Sequence, residues 1–155
     1  MDELQHGVFE NARTGNYEEL RKYIENKGDV EARNQRGYSL LMLAAYNQQF
    51  RATQLLLEHG AAVNSQDHGG NTVLMGAAFK GLKEIVSLLL SKGADVRIQN
   101  AQGMTAMDFA KIFARRDVLA LLSQDDSSSW YESFDPPPYI GGNLGETNPQ
   151  EIVSP

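Results

Sequence analysis

Three histidines, His6, His59 and His68, are the side chains of this chain best suited to metal binding or proton transfer. No two of them stand at the spacing of an HExxH helix, and a zinc site needs three or four converging ligands. With no cysteine in the chain, thiolate metal sites, disulfides and a cysteine nucleophile are removed from consideration. The run Ser127-Ser128-Ser129 lacks the nucleophile-elbow context. Asp125-Asp126 beside it is a pair of adjacent acids at a helix end, the pattern of solvated charge. Gly69-Gly70 belongs to neither a G-x-x-x-x-G-K-[ST] nor a G-x-G-x-x-G loop. The sequence therefore predicts no catalytic residue, no metal and no cofactor.

What remains is recognition chemistry, most concentrated in Trp130 to Tyr139, WYESFDPPPY. Ten residues hold four aromatics, three consecutive prolines and two acids. The segment is too proline-rich for a helix or a central strand. Its surroundings are equally distinct. Residues 1–124 carry 14 Lys and Arg against 14 Asp and Glu, whereas residues 125–155 carry six acids and no base. All five prolines, at 136, 137, 138, 149 and 155, lie there too. The composition predicts a body of residues 1–123 and a tail of residues 124–155. A neutral body with an acidic tail argues against nucleic acid, which selects for concentrated Lys and Arg. The opening MDELQHGVFENARTGN has no basic-then-apolar leader pattern, and apolar runs such as Val73 to Phe79 are too short to span a membrane. The expectation is a cytoplasmic, monomeric protein.

The elements of the body follow from internal repetition. Gly37, Gly70 and Gly103 recur at one constant interval, and Leu55, Leu88 and Leu121 share it with Val30, Val63 and Val96. A period of this kind, roughly 33 residues, signals stacked units that bury a face only against their neighbours. Within a unit, Ser39, Thr72 or Thr105 supplies an N-cap for a first helix of small residues. A second helix of the Ile85-Val86-Ser87-Leu88-Leu89-Leu90 type then ends at Gly60 or Gly93. Glycine-rich and Asn/Asp-rich turns join the units. The chain thus reads as an all-α solenoid of stacked helix-turn-helix units with short hairpin-like loops, the units running over 3–33, 34–66, 67–99 and 100–123.

The stretch Gly70-Asn71-Thr72-Val73-Leu74-Met75-Gly76-Ala77-Ala78, with Glu84-Ile85-Val86-Ser87-Leu88-Leu89-Leu90 and Gly93-Ala94-Asp95-Val96, resembles the ankyrin repeat. Leu40, Val73 and Ala106 replace the proline of that motif, and Met42, Met75 and Asp108 replace its histidine. The loss of a histidine that bonds neighbouring loops predicts a less rigid stack, each such bond being worth about 1 kcal/mol. The polar Asp2, Glu3, Gln5 and His6 at one end, and Arg115-Arg116 with Asp117 at the other, read as water-facing caps.

The resemblance implies a protein-binding scaffold that uses its loop tips and inner helices. The corresponding loop-tip residues are Arg33, Gln35, Arg36, Tyr38, Gln66, His68, Asn71, Gln99 and Met104. The inner-helix residues are Arg13, Tyr46, Asn47, Phe79, Lys80, Ile112 and Phe113. Tyr46, Phe79 and Ile112 recur at the repeat interval, so stacking aligns them, either as inter-repeat core or as an exposed apolar stripe widened by Tyr38 and Phe113.

Three roles stand open for the tail residues Trp130, Tyr131, Phe134, Pro136, Pro137, Pro138 and Tyr139. The segment fills the groove of its own chain, or caps the last unit at Phe109, Ile112 and Phe113, or acts as a free ligand. In the last case Pro136-Pro137-Pro138-Tyr139 looks like the P-P-x-Y motif read by WW domains. The function expected is binding one protein partner through the concave face, with the tail as flap or second contact. The alternative is an inhibitor or immunity-type protein that blocks a basic toxin or enzyme, steered by the acidic tail.

Overall fold

The structure, a computed structural model, describes residues 3–125, with side chains described from Gly7 to Gln124. Eight helices occupy these residues: α1 Glu3–Thr14, α2 Tyr17–Glu25, α3 Leu40–Tyr46, α4 Phe50–Glu58, α5 Val73–Lys80, α6 Lys83–Ser91, α7 Ala106–Ile112 and α8 Arg116–Asp125. They pack in pairs, α1 with α2, α3 with α4, α5 with α6 and α7 with α8. The first members stack in one layer, α1 on α3 on α5 on α7, and the second members stack behind them. This is the all-α solenoid that the periodicity predicts.

Repetition of residue type becomes repetition of burial. Ala12, Ala45 and Ala78 are buried at the same point of successive inner helices, where a methyl side chain lets the backbones approach. Leu56, Leu89 and Leu122 do the same in the outer layer. Lys111 takes the place of the alanine on α7 and is exposed, so the last inner helix presents no close-packing surface to a further unit. Of the predicted cap at that end, Arg116 and Asp117 are exposed, whereas Arg115 is half-buried and donates its Nε–H to the Phe79 carbonyl. The opposite cap, Asp2, Glu3, Gln5 and His6, lies outside the described side chains.

Each inner helix from α3 onward begins at a reciprocal cap. The hydroxyls of Ser39, Thr72 and Thr105 accept from the backbone N–H of Met42, Met75 and Asp108 at 3.1, 3.2 and 3.3 Å. In return the backbone N–H groups of Ser39 and Thr72 each donate to a methionine Sδ at 3.4 Å. Thr105 N–H donates to Asp108 Oδ2 at 2.8 Å. The residues that stand where the ankyrin pattern has histidine thus satisfy the orphan N–H groups of their own helix.

Loop-to-loop bonds are present as well, made by other residues. Arg33 Nη1 donates to the carbonyl of Gly37 in its own loop at 2.7 Å and to that of Gln66 in the next at 2.8 Å. Gln66 Nε2 repeats the pattern toward Gly70 and Gln99. Asn100 Nδ2 donates to Asn71 Oδ1 at 2.8 Å. Arginine, glutamine and asparagine thus link neighbouring loops where the histidine of the ankyrin pattern is absent.

The loops are shaped by one side chain each. Asn34 Oδ1 accepts from the N–H groups of Arg36 and Tyr38, Asp67 Oδ1 from those of Gly69 and Asn71, and Asn100 Oδ1 from those of Gln102 and Met104. An Asx side chain acting as a turn template gives each hairpin the same form. Isolated antiparallel bridges, Arg33 with Ser39 and Gln66 with Thr72, close the first two.

Candidate functional site

A concave groove of about 320 Å³ runs between the hairpin loops and the inner helices. Tyr38, Asp67 and Asn71 line it from the loops, Leu43, Tyr46 and Asn47 from the α3 side, Gly76 and Phe79 from α5, and Phe109 from α7. Met42 and Met75, the capping methionines, are also part of its lining. Five of the residues picked out from the sequence therefore share one cavity: Tyr38, Tyr46, Asn47, Asn71 and Phe79.

The aromatic residues in this region are not sealed in the core. Tyr46 is 43% exposed, and Ile112 and Phe113, at the last repeat, are 62% and 42% exposed. Phe79 is half-buried. Its ring meets the edge of Phe113 at 4.6 Å between centroids and that of Phe109 at 6.4 Å, both near perpendicular. Such edge-to-face pairs contribute about 0.5–1.5 kcal/mol beyond their buried area. Ile112, expected to continue the Tyr46–Phe79 line, lies outside the groove lining. Phe109, one turn earlier on α7, takes that place.

The backbone beside these rings is tied down across repeats. The carbonyls of Arg13, Tyr46 and Phe79 end successive inner helices, and each accepts a side-chain hydrogen bond from the following unit. Gln49 Nε2 donates to Arg13 O at 3.1 Å, Lys80 Nζ to Tyr46 O at 2.8 Å, and Arg115 Nε to Phe79 O at 3.0 Å. Leu82 stands where Gln49 and Arg115 stand in the neighbouring units and has no donor. Lys80 supplies the missing bond and also lies over the Tyr46 ring, 4.4 Å from its centroid.

Other predicted contact residues have structural duties. Arg33 and Asn71 make the loop-to-loop bonds described above. Asn47 Nδ2 donates back to Leu43 O at 2.8 Å. His68 covers Gly37 of the preceding hairpin, where an added Cβ would come within 2.6 Å of the imidazole. Met104 is half-buried in the last hairpin. Arg36 is exposed at a hairpin tip beside Tyr38. The tail residues Trp130, Tyr131, Phe134, Pro136, Pro137, Pro138 and Tyr139 lie outside the described residues.

Among the lining residues absent from the binding set read from the sequence are Gly76 and Phe109, the latter named there only as a docking point for the tail. With Leu43 they occupy one position of the repeat, in three successive units. A glycine between a leucine and a phenylalanine is the signal that could have found them.

A family model described as ankyrin repeats matches residues 9–100 in three copies. The chain belongs to the ankyrin-repeat family. No curated protein matches it. Ankyrin repeats are non-catalytic scaffolds for protein–protein interaction, and that general role extends to this ankyrin-repeat protein. Among its described residues, no three His, Asp or Glu side chains gather as metal ligands. No described helix is long and apolar enough to cross a membrane.

Proposed function

We propose that this ankyrin-repeat protein binds one protein partner through the groove between its hairpins and inner helices, with Tyr46 and Phe79 as anchors and Phe113 extending the contact. One observation carries the reading: three large apolar side chains, Tyr46, Ile112 and Phe113, are exposed on or next to the face that holds the Phe79 aromatic cluster. Aromatic anchors in a concave, partly desolvated setting are the usual seat of binding energy. Asn47, whose Nδ2 bonds Leu43 O, adds an amide oxygen in the lining suited to a peptide N–H.

Asp67 is the one charged side chain in the groove lining, while Lys80 lies over the Tyr46 ring beside that lining and can meet an acid of a partner segment. The side-chain ion pairs of the described residues lie on α1, on α2 and at Arg97–Asp95. Arg36 and Lys80 have no carboxylate partner among the described residues. A basic toxin or enzyme, the alternative partner, would be met by the acidic tail instead.

The test is affinity capture from the native host by the full chain and by Tyr46→Ala and Phe79→Ala. Loss of a specific partner by at least tenfold in both variants, with little change in the melting temperature of Tyr46→Ala, is the expected result. Undiminished capture by both variants would sink the reading. So would a drop in the melting temperature of Tyr46→Ala of about 10 °C or more, roughly 2–3 kcal/mol for a domain of this size, because that ring would then be core.

A further inference from the structure

We propose that the segment received by this groove is extended and carries opposite charges, a basic side chain on Asp67 at the hairpin end and an acidic one on Lys80 at the far end of α5, with an apolar residue between them. The inference rests on the groove being the partner-binding face and specifies the chemistry of what enters it.

Asp67 carries a charge that its structural duty does not need. It templates the second hairpin through Oδ1, which accepts from the N–H groups of Gly69 and Asn71, both at 2.9 Å. Asn34 and Asn100 hold the equivalent places and make the same pair of bonds with an amide oxygen. Only the hairpin whose template residue lines the groove has a carboxylate there. Among the described residues, Asp67 Oδ2 meets only Asn71 Nδ2, at 3.4 Å, and Asp67 belongs to no ion pair. Arg33 bonds the Gly37 and Gln66 carbonyls and, like Arg36, stands outside the lining. A half-buried carboxylate in this setting gains from a cation brought by a ligand.

Lys80 ends α5 with the opposite charge. One N–H of its ammonium is donated to the Tyr46 carbonyl, which leaves donors for an acid. Between the two ends the lining is apolar, with Met75, Phe79 and Phe109. The helix that separates them has 8 residues, about 12 Å at the usual helical rise. That exceeds the screening length of about 10 Å at 0.1 M salt, so neither charge neutralises the other. Extended chain covers the span in about four residues, and alternate residues of such a chain point the same way. The complementary pattern is therefore base, apolar, acid at alternate positions.

The test is selection from a displayed library of random linear peptides on the full chain, repeated on Tyr46→Ala, Asp67→Asn and Lys80→Glu. The expected result is a set of binders lost by Tyr46→Ala that share a base and an acid about four residues apart. Asp67→Asn keeps the turn template, since asparagine serves at both equivalent places, and should erase the preference for the base while the acid stays. Lys80→Glu should turn the selected acid into a base. Lys80→Met, which should only erase the acid, covers the case in which Lys80→Glu fails to fold. In titration with one selected peptide, Asp67→Asn should raise Kd about fivefold at low salt, the upper range for a partly exposed ion pair, and by less at high salt. Binders that need Tyr46 but have no charge pattern, have acids at both positions, or keep their pattern in both charge variants overturn this inference and leave the groove as the binding face. Binders indifferent to Tyr46→Ala, or no binders, overturn it together with the groove reading.

Discussion

Lys80 reaches back along the chain to Tyr46 in two ways at once, donating its ammonium to the Tyr46 carbonyl at 2.8 Å and lying 4.4 Å over the Tyr46 ring. A hydrogen bond to a charged donor and a cation–π contact at a partly exposed site each contribute about 0.5–1.5 kcal/mol. Lys80→Met keeps the aliphatic stem and removes both. The expected cost is about 1–2 kcal/mol, read as a fall of a few degrees in melting temperature. Lys80→Arg should recover most of it, and a Lys80→Met variant as stable as the parent would show that the ammonium merely rests on the surface.

Arg33 offers a second test of how the units are joined. One guanidinium nitrogen bridges the Gly37 and Gln66 carbonyls, fixing one hairpin against the next. Arg33→Ala leaves both carbonyls to water and should cost about 1 kcal/mol, the exposed setting holding it to the low end for charged hydrogen bonds. Arg33→Gln should be milder, because Gln66 makes the same bridge one repeat later. Urea unfolding of the three proteins gives the order directly, with Arg33→Gln between the other two.

The stack was legible in the sequence because each unit repeats its small inner-helix residues, its leucines and its glycines in register, and burial follows those types. The caps at Ser39, Thr72 and Thr105 were legible too, since a hydroxyl before an apolar run has few other uses. Their return bonds were not, because methionine sulfur is a weak acceptor that sequence reasoning does not place at a helix start. Tyr46 and Phe79 could be aligned by counting, but their exposure depends on what faces them. Ile112 shows the limit of counting. It holds the equivalent position, yet on the last described inner helix it lies outside the groove lining, and Phe109 fills its expected place in the groove.

Position in the stack should also grade the cost of core truncation. Leu56 and Leu122 are equivalent and fully buried, yet α4 packs on α2, α3 and α6, whereas α8 packs chiefly on α6 and α7 among the described helices. Leu56→Ala should cost about 2–5 kcal/mol and lower the whole transition. Leu122→Ala should instead loosen the last unit first, because a solenoid is coupled only through neighbours. Native-state hydrogen exchange distinguishes the two: the Leu122 variant should lose protection in α7 and α8 while α3 to α6 keep theirs. Uniform loss in both would mean that the stack unfolds as one unit.

The tight turn between paired helices supplies a test in which one substitution stabilises and its counterpart does not. Gly15, Gln48, Gly81 and Ala114 hold equivalent places and all have positive φ, at 76, 62, 73 and 54°. Left-handed backbone costs an L-residue such as alanine about 1–2 kcal/mol, which glycine avoids. Part of that advantage is lost to glycine's greater freedom in the unfolded chain. Ala114→Gly should therefore raise stability by roughly 0.5–1 kcal/mol. Gly81→Ala should lower it by more than that, because a Cβ there would also come within 2.9 Å of Arg115 Cδ and disturb the side chain whose Nε caps the Phe79 carbonyl. Thermal melts of the two single variants decide it. If Ala114→Gly is destabilising, the left-handed turn at that position is not strained in solution, and the equivalence of the four turns fails.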